Sequence, residues 1–161
     1  VTFVVITVLS DTHIPRVQNS LPGEVVHAIE EADAIIGLGD FIDEETLFYL
    51  NSFGKPVYAV LGNMDRYELR SRLPLRKTLE LNGFRIFMTH GWGAPNGIEK
   101  RIFNTLDKPL PDLCLYGHSH VASDSTLGSV RFINPGTCRR GGGYAVLKLE
   151  KEIVCDFFKL D

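Results

Sequence analysis

The tetrapeptide Gly117-His118-Ser119-His120 follows Leu113-Cys114-Leu115-Tyr116, an apolar run of the kind that forms a buried strand. Side chains two apart in an extended chain project to the same side, so His118 and His120 leave the strand end as two imidazoles aimed at one point. Gly117 permits close backbone approach beside them. Asp11 and His13 repeat this spacing after the apolar run Phe3 to Leu9, with one imidazole exchanged for a carboxylate. Asp40 after Gly39, Asn63 after Gly62 and His90 before Gly91 also sit where apolar runs end. The seven side chains Asp11, His13, Asp40, Asn63, His90, His118 and His120 take four of the five histidines and leave only His27 outside. Seven donors exceed what one tetrahedral zinc needs. They suit two divalent ions about 3.5–4 Å apart that share a bridging carboxylate. Nitrogen and oxygen donors without thiolate point to manganese first, with nickel, iron or zinc as alternatives, and away from calcium or a soft metal.

These ligands need elements that end together. Phe3 to Leu9 predicts a strand buried on both faces, and Glu24 to Glu31 a helix with Val25, Val26, Ala28 and Ile29 along one stripe. Ala34 to Leu38 and Pro56 to Leu61 predict further strands, separated by a helix over Glu44 to Asn51 that carries Leu47, Phe48 and Leu50 and has Gly54 as its C-cap. In open α/β sheets ligands bind at the carboxyl ends of strands, which explains why the donors recur there. Asn82-Gly83 predicts a two-residue hairpin turn between strands Arg76 to Leu81 and Phe84 to Thr89. A helix over Gly97 to Leu106 and strands over Val121 to Thr126, Val130 to Ile133, Tyr144 to Leu149 and Ile153 to Lys159 complete the reading, with turns at Leu127-Gly128 and Glu150-Lys151.

At 161 residues the chain predicts a single domain, 1–161, with a proper core. A hydrophobic fraction of 44%, a charged fraction of 23% and a net charge of −3 describe an ordinary globular protein with no general attraction to nucleic acid or anionic membrane. Cys114, Cys138 and Cys155 lack zinc-type spacing and fit reduced thiols, hence a cytoplasmic protein. Val1 to Leu9 lacks the basic start and cleavage site of a signal peptide. No run reaches the ~20 apolar residues of a membrane span.

Asp11-Thr12-His13, Gly39-Asp40, Gly62-Asn63, His90-Gly91 and Gly117-His118-Ser119-His120 resemble the five ordered motifs of the calcineurin-like metallophosphoesterase superfamily, in particular its small phosphodiesterases, from Ser10 to about Thr137. The resemblance implies an α/β fold, a sandwich of two β-sheets flanked by helices. It also implies one metal on Asp11, His13, Asp40 and His120 and a second on Asp40, Asn63, His90 and His118, with Asp40 as the bridge. Asp40, Asn63 and His90 are carried as the catalytic residues. Two divalent ions less Asp11, Asp40 and a bridging hydroxide leave a net charge of +1, suited to a small anionic phosphate ester. Metals of this kind make hydroxide available at neutral pH for in-line attack on a phosphodiester.

Where most of the superfamily has a histidine after the Gly-Asn pair, this chain has Met64, which cannot protonate a leaving oxygen. The small phosphodiesterase branch shares that departure, and esters with good leaving groups are the expected substrates. Asp43 and Asp65 are candidates to orient ligand imidazoles, and Trp92 and Phe41 to line a pocket. Asn134-Pro135-Gly136-Thr137 resembles a turn placed near the metals. Arg16, Arg139 and Arg140 are candidates to grip the phosphate. The resemblance extends to a retromer subunit that serves as a scaffold, similar in Ile14-Pro15-Arg16 and Asn19-Ser20-Leu21-Pro22, which makes a metal-binding interaction protein the alternative. A scaffold would be marked by lost ligands or a large exposed apolar patch. Oligomeric state, including a homo-oligomer, is left open by the sequence.

Overall fold

The computed structural model describes residues 2–161. In chain order the elements are β1 (Val4–Leu9), α1 (Gly23–Glu31), β2 (Ala34–Gly37), α2 (Glu44–Asn51), β3 (Val57–Ala59), α3 (Tyr67–Arg70), β4 (Arg76–Leu81), β5 (Phe84–Thr89), α4 (Ile98–Phe103), β6 (Leu113–Leu115), β7 (Ser123–Leu127), β8 (Val130–Asn134), β9 (Gly143–Leu149) and β10 (Ile153–Lys159). They form two five-stranded mixed sheets, ordered β10-β9-β1-β2-β3 and β4-β5-β6-β8-β7. In the first sheet β1, β2 and β3 run parallel, and in the second β5, β6 and β8 do. Antiparallel β9–β10 and β4 and β7 occupy the flanks.

The central core lies between the sheets. Ile6, Val8 and Ile36 from the first sheet pack with Ile86, Leu113 and Ile133 from the second. Because successive strand residues face opposite ways, Leu9 and Ile35 instead meet Val25 and Ile29 of α1 and Leu47 and Leu50 of α2 on the outer face. Cys114 and Phe132 meet Ile98 and Ile102 of α4 on the outer face of the second sheet. Each sheet is thus covered outside by helix, which gives the expected two-sheet sandwich flanked by helices.

Local chemistry sets the punctuation. Asn82 and Gly83 both take left-handed backbone angles, φ 48° and 85°, as the tight hairpin requires. The C-cap of α2 is Ser52, two residues before the expected Gly54, which takes φ 71° in the turn beyond it and donates its N–H to the Asn51 carbonyl. Lys55 donates from Nζ to the carbonyls of Ile29 and Glu30, satisfying the C-terminus of α1. Phe48 departs from the expected inward stripe: it is 49% exposed, with the Arg72 guanidinium 5.0 Å above its ring. The strand expected from Val121 begins at Ser123, where pairing with Asn134 starts.

Candidate metal centre

The carboxyl ends of β1, β2 and β3 in one sheet and β5 and β6 in the other open toward the same end of the sandwich, and the loops there are tied directly together. Asp11 donates its N–H to the Gly39 carbonyl and His13 to that of Asp40, each at 3.0 Å, while Gly117 donates to the His90 carbonyl at 2.9 Å. Two glycines make this closeness feasible. A Cβ on Gly62 would fall 2.2 Å from the Asp40 N and Oδ1 atoms, and one on Gly117 would fall 2.0 Å from Ser10 Oγ.

Five of the seven anticipated ligands converge here. His120 Nε2 lies 3.3 Å and His13 Nε2 3.8 Å from Asp11 Oδ1. His90 Nε2 lies 3.3 Å from Asp40 Oδ2 and 3.7 Å from Asp11 Oδ1, and His13 Nε2 lies 3.7 Å from Asp40 Oδ2. Two triads, Asp11-His13-His120 and Asp11-Asp40-His90, have the mutual closeness that a cation requires. Asp11 Oδ1, His13 Nε2 and His90 Nε2 are buried with no hydrogen-bond partner. Buried polar atoms without a partner are uncommon and call for a water, an ion or a functional role. Here three that are all metal-ligating atoms face one another, whereas Thr12, Asp43 and Thr46 contribute single isolated oxygens. The donor set therefore fits a divalent metal.

Asn63 and His118 stand beside this group, paired with each other: His118 Nδ1 lies 3.2 Å from Asn63 Oδ1, and its Nε2 lies 2.9 Å from the Gly93 carbonyl. The His118 ring packs edge-on to His90 at 5.3 Å between centroids.

The surroundings hold the donors ready. His90 Nδ1 lies 2.6 Å from the Leu38 carbonyl, which fixes the proton there and presents Nε2 to the site. Ser10 Oγ donates to Asp11 Oδ2 at 2.6 Å. Burial works against the charge of Asp11, but His120, His13, His90 and that hydroxyl outweigh it and hold the carboxyl far below the ordinary carboxylate range. His120 is raised, first through its contact with Asp11. His90 is also raised, because Asp40 and Asp11 prevail over the burial that would lower it.

Asp11, His13, Asp40, His118 and His120 all have left-handed backbone, with φ of 55°, 48°, 56°, 69° and 64°. Non-glycine residues adopt that region at a cost and cluster there at functional sites.

Asp65 does not touch an imidazole. It accepts backbone N–H bonds from Gly62 at 2.7 Å, Ile42 at 2.8 Å and Asp40 at 3.0 Å, so it shapes two ligand loops at once. Asp43 precedes α2 without capping it by its side chain. Phe41 is fully buried against α2 and lines no pocket, because the turn after Asp40 points it into the core. Trp92 is 39% exposed and walls a cavity of about 710 Å³ beside Asn63 and His90. The Asn134–Thr137 turn does reach the ligands, since Thr137 Oγ1 donates to the Asp11 carbonyl at 2.9 Å. Arg139 is close enough for its charge to oppose a proton on His120. Arg16 is exposed on the loop after His13, and Arg140 is turned to Glu24 and the Asp161 carbonyl. Gln18, which nothing in the sequence singles out, bonds the carbonyls of Thr12 and Cys138 and pins the first ligand loop.

Comparison with known proteins agrees with this layout. A model of the calcineurin-like phosphoesterase superfamily domain matches residues 4–152. A probable metallophosphoesterase of Methanothermobacter thermautotrophicus is 30% identical, over 82% of this chain and 76% of its own. A phosphodiesterase of Methanocaldococcus jannaschii is 23% identical over 83% of each. Among solved structures, the solution NMR structure of a Thermotoga maritima protein is 39% identical with a TM-score of 0.77, covering 97% of this chain and 99% of that one. Vacuolar Protein Sorting 29 of Cryptosporidium parvum, 18% identical with a TM-score of 0.77 over 98% of each chain, shows the shared fold alone. With its strand-end aspartates and histidines gathered at one place, the chain belongs to the calcineurin-like phosphoesterase superfamily.

Proposed function

We propose that the protein is a metal-dependent phosphodiesterase working at a dinuclear centre. The observation that carries this reading is the group of buried, unpartnered atoms Asp11 Oδ1, His13 Nε2 and His90 Nε2 facing one another across the ligand loops. Asp11, His13, Asp40 and His120 would hold one cation, and Asp40, Asn63, His90 and His118 the other, His118 exchanging a present ring contact for it. Divalent cations, manganese foremost, supply charge that activates water and offsets the phosphoryl oxygens. The chain's own part is to keep Asp11 ionised, to present the His90 Nε2 lone pair and to hold the loops rigid through Asp65, Ser10 and Thr137. Arg139, beside His120, is the arginine of the anticipated three that best suits a phosphate oxygen, since Arg140 is paired with Glu24. Residues 1–161 act as one domain on a small phosphate ester, and the buried thiols of Cys114 and Cys138 suit the reducing cytoplasm.

The test is manganese reconstitution followed by elemental analysis and assay on bis(p-nitrophenyl) phosphate and on alkyl monoesters. Two equivalents of metal and preferential aryl diester hydrolysis are expected, with Asp40→Ala losing both. A limit of one equivalent that Asp40→Ala leaves unchanged would remove the bridged site. A second reading, an interaction protein, draws on Phe157 and Phe158, which are 40% and 44% exposed on the edge strand β10 beside a further cavity that reaches His120. Metal-loaded protein that hydrolyses no phosphate ester but binds a protein, or a second copy of itself, through β10 would favour it.

A further inference from the structure

Residues 66–77 carry five basic side chains and one acidic one in a chain whose net charge is −3. Five of the ten arginines are already engaged. Arg72, Arg85, Arg131 and Arg140 each have a carboxylate partner, and Arg101 donates to backbone carbonyls. Arg70 and Arg76 differ, because among the described residues neither has a carboxylate within 4.0 Å. Both line the cavity of about 710 Å³ that shares Asn63 and His90 with the metal centre. Trp92, Leu73 and Leu75 form its apolar wall. The volume lies within the range of small-molecule sites.

The walls are fixed in place. Leu61 donates its N–H to the Pro74 carbonyl at 2.8 Å, tying the basic segment to the strand end that delivers Asn63. Arg101 donates to the Trp92 carbonyl from Nε at 3.1 Å and Nη2 at 2.9 Å, and also to the carbonyls of Ala94 and Asn96, which holds the Trp92 loop. An indole that is partly exposed on a rigid loop is a stacking platform for a planar ring. Two guanidiniums without a carboxylate partner in the same cavity suit a phosphate, whose oxygens they can bind bidentately.

Building on the diesterase reading, we infer that this cavity takes the nucleoside arm of a nucleotidyl phosphodiester that bears a second phosphate. The base stacks on Trp92 against Leu73 and Leu75, and the second phosphate is held by Arg70 and Arg76. A sugar phosphate would leave the aromatic wall unused, and a simple aryl ester would leave the two arginines unused.

Trp92 is the single tryptophan of the chain, so its emission reports directly on the cavity. The experiment titrates manganese-loaded protein with thymidine 3′,5′-bisphosphate, thymidine 5′-monophosphate and deoxyribose 5-phosphate. The two nucleotides should quench Trp92 and the sugar phosphate should not. The bisphosphate should bind roughly 10–100-fold more tightly than the monophosphate, the worth of one or two charge-assisted hydrogen bonds. The pair Arg70→Gln and Arg76→Gln should remove most of that difference, while Arg66→Gln, outside the cavity, should leave it intact. Equal binding of the two nucleotides, an unquenched Trp92, or equal damage from Arg66→Gln would overturn the inference. Quenching and discrimination without any hydrolysis of bis(p-nitrophenyl) phosphate would sustain the cavity while sinking the diesterase reading. Hydrolysis without discrimination would do the reverse.

Discussion

Asp65 shows how a side chain that meets no substrate can govern a site. Its carboxylate is buried and receives three backbone N–H groups from the loops that carry Asp40 and Asn63. Asp65→Ala leaves those donors unpaired, and urea unfolding should show a loss of about 3 kcal/mol or more. Manganese affinity should fall by roughly 10–100-fold, as for other groups that orient metal ligands. Unchanged affinity would mean that the loops hold their shape without it. Met64, 40% exposed, reaches the ligands only through its backbone, whose N–H donates to Asp40 Oδ1 at 2.8 Å. With no proton donor in its side chain, rates should drop steeply as the leaving group becomes more basic. Met64→His should flatten that slope, by at most ~10²–10⁴-fold for the poorest leaving groups. Equal slopes at equal metal content would show that another group already supplies the proton. At this scale the sequence exposed the ligands because donors recur where apolar runs end, but the extended, period-two geometry expected of the pairs Asp11/His13 and His118/His120 does not hold. All four residues have left-handed backbone, and the loops turn His120 to Asp11 while His118 pairs with Asn63. The sequence did not expose that Asp65 would bond to backbone, or that Phe41 would turn into the core, since both depend on the fold of the chain between Gly39 and Asp65. Nothing in the sequence singles out Arg70 and Arg76, which α3 and β4 place around one cavity.

The ligand loops themselves are the unit at the next scale, and Asn134 ties one of them to the end of β8. Its side chain is fully buried, donating to the Gly117 carbonyl at 3.0 Å and to Ser119 Oγ at 2.9 Å, and accepting from the Gly136 N–H at 2.9 Å. Asn134→Ala frees the loop between His118 and His120 from β8. Its manganese affinity should fall by about tenfold or more, while a stopped assay at saturating metal should recover much of the activity. Activity that stays low at full occupancy would place Asn134 in the chemistry itself. Elements with strong local signals, such as the Asn82-Gly83 hairpin and the helix Glu44–Asn51, are legible in the sequence, though the C-cap falls at Ser52 and not at Gly54. The four-residue helix Tyr67–Arg70 is not, because it offers a single buried residue, Leu69, to any periodic pattern. β7 also begins two residues later than its propensity predicts, at Ser123, because Val121 is 64% exposed and lies outside the β7–β8 pairing.

Across the whole molecule the centre is a junction between two sheets, with Asp11, His13, Asp40 and Asn63 from one and His90, His118 and His120 from the other. A cation bound there should stabilise the entire sandwich. Manganese at about one hundred times its dissociation constant should add about 2.7 kcal/mol and raise Tm by roughly 5–10 °C, which scanning calorimetry would register. An unmoved Tm would argue against metal binding by the folded state. Protons compete for the same place. In cation-free protein, His90 and His120 have pKa values above the ordinary one, so their stabilising pairing with Asp11 and Asp40 is fully present below that value. It is lost as the pH rises through the raised values. A cation needs these nitrogens unprotonated, so manganese isotherms should weaken from pH 8 to pH 6 and release more protons at the lower pH. A pH-independent affinity would exclude the two imidazoles as ligands.

The left-handed backbone at Asp11, His13, Asp40, His118 and His120 bears on the history of such a chain. If each costs of order 1 kcal/mol, together they consume a sizeable part of the ~5–15 kcal/mol that keeps a typical domain folded. Glycine at any of these positions would relieve strain while deleting a ligand. Under the phosphodiesterase reading, a lineage released from selection for the reaction would drift downhill toward a sturdier, inert protein, and the five strained positions are where that drift would register first.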